Sequence, residues 1–183
     1  GPPGGAQVTV PGPGAAAGLF GMVLMLAGTS IGDVWDARLT IEPAAIRQLA
    51  ETASDIQLGA LDRELDRLRA AANLDPTSFH RAGVRFHVKL IELSGNRTLT
   101  ALIGMLSEII ERELANALTE IGLDADEINR ANRRALRGYE TVAALIHARD
   151  GAGAEQAWRE HMDNVRQYVG GTRRENRTLD VLY

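Results

Sequence analysis

The side chains that could do chemistry in this sequence are Arg38, His80, His87, Tyr139, His147 and His161, each polar and each on or beside an apolar helical stripe. A titratable group turned to the inside of a helical protein must be hydrogen-bonded, bound to a metal or bound to a ligand. His87 and His161 stand among core-type residues on separate helical stretches, so a bundle can bring them together. A neutral imidazole is a good ligand for a divalent transition metal, but two nitrogens make a weak site, since a stable one has three or four protein ligands. From spacing alone the pair is either two satisfied core histidines or part of a ligand or metal site.

His80 precedes His87 on nearly the same face, but about 10 Å separates their backbones at a rise of about 1.5 Å per residue. Sharing one ion would be strained, and His80 reads as a surface or supporting residue. Arg38, beside Trp35, Leu39 and Ile41, can clamp a carboxylate through two nitrogens or pair with a neighbouring acid such as Asp36 or Glu42. His147, with Arg149 and Asp150, falls at a helix end, where a cation complements the helix dipole.

No Gly-rich phosphate loop, no His-Glu-x-x-His, no Gly-x-Ser-x-Gly and no paired cysteine occurs, so no motif proposes an enzyme. The formal charge of −4 argues against this segment gripping a nucleic-acid backbone by itself, which needs a clustered excess of Lys and Arg. With no cysteine there is no disulfide framework and no thiolate metal site, which suits a reducing cytoplasm.

The elements that position these groups are helices. A chain of 183 residues with 4% aromatic content fits one domain whose core is filled by Leu, Ile, Val and Ala. Gly1 to Gly14 is rich in Gly and Pro around a short β-like run, Gln7 to Val10, and its prolines at 2, 3, 11 and 13 predict a linker or the remnant of a preceding unit. There is no initiator methionine, which fits a natural start further upstream.

Ala15 to Ala27 is apolar but too short to span about 30 Å of hydrocarbon, and without a basic flank it reads as a buried helix closed by Gly28. The second helix starts at a Ser30 or Asp33 cap and contains Pro43, which predicts a kink or break near residues 40 to 42. Ser54 to Gln57 opens a third, with Leu58, Leu61, Leu65 and Leu68 on one face. Asp75-Pro76 opens a fourth, which runs through Phe86, His87, Leu90 and Leu93 to a stop at Ser94-Gly95-Asn96. Further apolar stripes follow over Leu99 to Leu114, Ile128 to Ile146 and Ala157 to Val165, with breaks at Gly122 to Asp126, Asp150 to Gly153 and Gly170-Gly171. The polar stretch Thr172 to Asn176 is expected to fray or to be helical only through contacts. These spacings predict an all-α antiparallel bundle of about seven helices.

Three separated motifs carry a resemblance. Trp35-Asp36-Ala37-Arg38-Leu39-Thr40-Ile41-Glu42-Pro43, then Phe86-His87 with Ser94-Gly95-Asn96, then Ala154-x-x-Ala157-Trp158-x-x-His161, resemble the FCD domain. This is the C-terminal effector-binding and dimerisation domain of FadR-type GntR transcriptional regulators. The resemblance covers about residues 15–170 and leaves 171–183 as a polar tail. Gly4 to Pro11 further resembles the end of the wing of the winged helix-turn-helix domain that precedes FCD, so residues 1–14 read as wing remnant and linker.

The resemblance implies a seven-helix bundle, a homodimer and a central cavity for a small-molecule effector, a small organic acid or related metabolite. It also implies, in many members, a divalent metal such as Zn, Mn or Ni held by an aspartate and three histidines. His87 and His161 match two of those ligands, while Gly83 stands where the aspartate belongs and Tyr139 where the third histidine belongs. Losing the carboxylate removes the anionic ligand, so a metal-free cavity without a cofactor is the expectation. In it His87, Tyr139 and His161 become hydrogen-bonding groups for the effector, Arg38 its carboxylate partner, and Gly83 enlarges the pocket.

The expected function is therefore ligand sensing and dimerisation in a regulator that reaches DNA through an upstream domain, with no enzymatic activity and no membrane contact. The alternatives are a metal-dependent helical-bundle enzyme, resting on His87 and His161 alone, and a purely structural dimerisation module whose pocket has decayed.

Overall fold

Capping chemistry sets where the helices begin. Ser30 accepts from the Asp33 N–H and Asp33 returns the bond to the Ser30 N–H, opening α2 (Ile31–Thr52); Ser54 and Gln57 repeat this box at α3 (Asp55–Ala72). Asp75 accepts from the Ser78 N–H at α4 (Pro76–Leu93), with Pro76 in the first turn. The others are α1 (Pro13–Leu26), α5 (Arg97–Ile121), α6 (Ala125–His147) and α7 (Gly151–Glu175). This computed structural model describes residues 13–121, 125–175 and 177–179, and among them the chain is the predicted all-α bundle of seven helices. The wing-like stretch and most of the linker, the Gly122 to Asp124 part of the predicted turn and the end of the tail lie outside the described residues.

α2 runs through the middle of the bundle, packed most extensively on α7 and also touching α4, α5 and α6. α6 lies on α7, α3 on α4, and α1 on α5. The stripe read on α4 is buried as predicted: Phe86, Leu90 and Leu93 enter the core and His87 goes in beside them. Each such apolar side chain contributes on the order of 1.5–3 kcal/mol by leaving water.

Several local expectations are corrected. Of the kink or break expected near Pro43, the break does not occur: α2 runs as one helix from Ile31 to Thr52. A proline at 43 cannot bond the Leu39 carbonyl. Arg159 of α7 donates to that oxygen at 3.1 Å instead, so a tertiary contact satisfies what the local sequence leaves open. Pro13, read as part of the linker, begins α1, where a missing N–H costs nothing. Gly95, at φ 88°, is the terminator of α4, whereas Asn96 caps α5 by accepting from the N–H groups of Thr98 and Leu99. Of the two outcomes expected for the tail it is the helical one that occurs: α7 continues to Glu175, and beyond it the Ile31 N–H donates to Arg177 O, the Leu179 N–H donates to Thr29 O, and Leu179 is buried.

Candidate functional site

α2 and α4 cross so that Arg38 and Glu42, one turn apart on α2, meet His87. Arg38 Nε donates to Glu42 Oε1 at 2.5 Å, and Arg38 Nη2 lies 2.8 Å from His87 Nδ1. Glu42 Oε2 lies 3.0 Å from the same Nδ1 and accepts from Trp158 Nε1 of α7 at 3.1 Å. Across the ring, His87 Nε2 is 3.2 Å from the Tyr139 hydroxyl of α6. One buried polar chain thus ties α2, α4, α6 and α7 together. The Arg38 guanidinium also lies over Trp35, 5.1 Å from the ring centre, a cation–π contact.

Charge is balanced inside this cluster. Burial alone would raise the Glu42 carboxyl, but the Arg38 charge, with His87, outweighs it and holds the group at about 2. Glu42 is therefore ionised at neutral pH and neutralises Arg38. Burial lowers His87 against the pull of Glu42, and burial with repulsion from His87 lowers His161 well below the usual imidazole range. Burial raises Tyr139, so its hydroxyl keeps its proton.

At Nδ1 a neutral His87 faces a guanidinium that only donates and a carboxylate that only accepts. Protonated at Nδ1, the ring donates to Glu42 and accepts from Tyr139; protonated at Nε2, it accepts from Arg38 and donates to Tyr139. Either tautomer leaves both nitrogens partnered.

These residues do not fit the metal that the resemblance implies. His87 and His161 do converge, with ring centres 5.6 Å apart. However, the Arg38 guanidinium stands against His87 and would repel a divalent cation, and both Glu42 oxygens are engaged. Among the described residues no group of three or more His, Cys, Asp or Glu is arranged to hold an ion.

Tyr139 explains the two departures from the ligand set together. A Cβ at position 83 would lie 2.9 Å from its hydroxyl oxygen, so Gly83 makes room for Tyr139. Gly83 also lines the cavity beside the cluster, where the resemblance placed it. Gly138 plays the same part for His161, whose Nδ1 occupies the space of the missing Cβ. The His161 ring packs 4.1 Å from that of Tyr139, and its Nε2 is buried without a partner among the described residues.

A cavity of about 360 Å³ opens beside the cluster. Arg38, Gly83, His87 and Tyr139 line its inner end, and Trp35, Phe79, Val84, Ile110 and Ile128 give it an apolar wall. His161 and Glu42 are not lining residues. His80, read from sequence as a surface or supporting residue, is on the wall; its Nε2 is buried without a partner among the described residues, and burial, with repulsion from His87, lowers it to about 4. The seven-residue spacing that excluded a shared ion also set His80 and His87 on one cavity face.

Sequence reading treated Glu42 only as one possible neighbour of Arg38. Its four-residue spacing from Arg38 and Ile46, on the face that carries Trp35 and Leu49, is the signal that puts it inside. Asp36, the other acid considered for Arg38, pairs with Arg166 at 2.6 Å. His147 lies in the last turn of α6 as expected and also reaches Asp62 of α3 at 2.7 Å, away from the cavity.

Comparison with known proteins agrees with this architecture. The FCD domain family model matches residues 33–164. The HTH-type transcriptional repressor NanR of Cronobacter sakazakii is 30% identical over 129 residues, covering 70% of this chain and 46% of that protein. The chain thus spans about half the length of this curated relative. Two solved structures share the fold. Streptococcus agalactiae GntR has a TM-score of 0.62 at 22% identity, over 75% of this chain and 58% of that one. E. coli McbR/YncC has a TM-score of 0.64 at 18% identity, over 75% of this chain and 66% of that one. With most of its length matched by the family model and its helices arranged as in these structures, the chain belongs to the FCD domain family.

Proposed function

We propose that this chain is the sensing and dimerisation part of a DNA-binding transcriptional regulator, and that it binds a small organic acid, without a metal, in the cavity between α2, α4, α5, α6 and α7. The observation that carries this reading is the open cavity bordered by Arg38, His87 and Tyr139 in a chain of the FCD family. Its regulatory rather than enzymatic character rests on that membership and on the matched relative, which is named a transcriptional repressor. DNA contact is assigned to a winged helix-turn-helix unit upstream, on the resemblance of Gly4 to Pro11 to a wing. The domain bounds belong to the same proposal: wing remnant and linker over 1–14, effector domain over 15–170, tail over 171–183, with α1 and α7 each extending slightly past the middle segment.

Dimerisation is assigned to α1. Contrary to the buried helix expected over Ala15 to Ala27, Leu19, Met22, Val23 and Leu26 recur at the spacing of one helical face and are 69%, 40%, 63% and 77% exposed, an apolar stripe that a second copy would cover. Sedimentation of the wild type and of a Leu19→Glu/Leu26→Glu variant tests this, with a dimer expected only for the wild type. The sensing reading is tested by thermal shift against a panel of organic acids, with His87→Gln and Tyr139→Phe alongside. At least one acid is expected to raise the wild-type Tm and to lose much of that effect in a variant. If no acid raises Tm, the reading as a structural module gains, although the open volume beside the cluster speaks for a working pocket.

A further inference from the structure

The cavity has two chemically different ends. At the inner end Arg38 is already neutralised by Glu42, and its Nε and Nη2 are engaged with Glu42 and His87. A ligand carboxylate placed there would bring a second anion toward Glu42, in surroundings where repulsion is weakly screened. The groups facing the cavity beside it, Tyr139, His87 and His80, are neutral hydrogen-bonding groups, and His80 Nε2 has no partner among the described residues.

At the outer end α6 presents Glu127, Arg130 and Arg134, all exposed and all lining the cavity, so that two arginines four residues apart outnumber one acid. Neither arginine makes an ion pair or side-chain hydrogen bond among the described residues. Like charges at that spacing repel, and an anion between them removes the repulsion. Apolar groups make up most of the cavity wall as a whole.

Resting on the sensing role proposed above, we propose that the ligand is an amphipathic organic anion whose charged group is bound by Arg130 and Arg134 at the mouth. Its apolar body lies along Phe79, Ile110 and Ile128, and an uncharged polar group at its far end meets His80 and Tyr139. Arg38 is then a positioning residue for His87 and not the carboxylate clamp that the sequence suggested.

The chain reports on its own cavity: of its two tryptophans, Trp35 lines it and Trp158 bonds to Glu42 beside it. Energy transfer from tryptophan to 1-anilinonaphthalene-8-sulfonate, an apolar anion, is compared with transfer to uncharged N-phenyl-1-naphthylamine at low salt. Ala131→Phe, which fills the cavity, is expected to abolish both signals. Arg130→Gln/Arg134→Gln is expected to weaken the sulfonate about tenfold while leaving the neutral dye within about twofold. Arg133→Gln/Arg137→Gln removes the same charge from α6 at positions that do not line the cavity, and should leave both dyes unchanged.

The mouth assignment is overturned if both dyes enter but the Arg130/Arg134 variant weakens neither or both alike, or if the Arg133/Arg137 variant weakens the sulfonate equally. If neither dye gives a signal sensitive to Ala131→Phe, the cavity is not a binding site for such molecules, and the sensing reading fails along with the mouth assignment.

Discussion

Arg38 and Arg134 line one cavity, yet Arg38 is 3% exposed and bonded to Glu42 and His87, whereas Arg134 stands exposed on α6 with no partner among the described residues. The inner arginine is part of how four helices are held together. Its charge is spent on a carboxylate that would otherwise be buried alone. The outer arginine contributes nothing comparable to the fold, and its charge is available to a ligand. Residue type therefore does not decide which arginine reads an anion; what decides is whether the fold has already supplied a counter-ion.

Substitutions should separate the two ends sharply. Glu42→Ala strands the Arg38 charge and removes partners from His87 and Trp158, and its expected cost is about 3–5 kcal/mol in urea unfolding. A loss below about 1 kcal/mol would mean that the cluster does not hold the helices together.

Acid should break the same region next. His80 titrates at about 4 in the fold against 6.5 ordinarily, so the unfolded chain takes up the proton first and stability falls as pH drops from 6.5 towards 4. His87 and His161, both lowered, act in the same direction below 6.5. Glu42, at about 2 against 4.5, has its stabilisation fully present above 4.5 and lost as pH falls from 4.5 towards 2. The slope is at most about 1.4 kcal/mol per pH unit for each group. His80→Gln should flatten the upper part of the Tm-against-pH curve and Arg134→Gln should not; equal curves for wild type and His80→Gln would remove His80 from this account.

A smaller effect is expected from Gly83→Ala, about 1–3 kcal/mol, because its methyl group would crowd the Tyr139 hydroxyl. In a Tyr139→Phe background the cost should shrink, and a double-mutant cycle on unfolding free energies measures the coupling. Additive effects would show that the two positions are not fitted to each other. The smallest change is expected at the mouth: Arg130→Gln/Arg134→Gln without ligand should leave stability within about 0.5 kcal/mol of wild type or slightly above it. A loss comparable to that of Glu42→Ala would erase the distinction between the two ends.

Much of the fold was legible because its signals are local. The capping boxes at Ser30 and Ser54, the Asp75-Pro76 start and the apolar stripe of Phe86, Leu90 and Leu93 each depend on residues within a turn or two of one another. At Pro43 the local rule is sound, but the freed Leu39 carbonyl finds Arg159 more than a hundred residues away, and α2 runs on without a break. The site was legible as a set of residues and not as an arrangement. His87, Tyr139, Arg38 and His161 do come together, but nothing near Tyr139 in the chain announces that its hydroxyl fills the space above Gly83.

By itself, then, the sequence determined the helical class, most helix starts, the family and the presence of Gly83 and Tyr139 at their positions, because helical periodicity, capping and residue identity are properties of short stretches. The tertiary structure alone decided that Glu42 neutralises Arg38, that His80 faces a cavity and that Arg130 and Arg134 line it without an ion pair among the described residues. Charge pairing in a bundle depends on which helices cross and at what height, and that is settled only when the whole core packs.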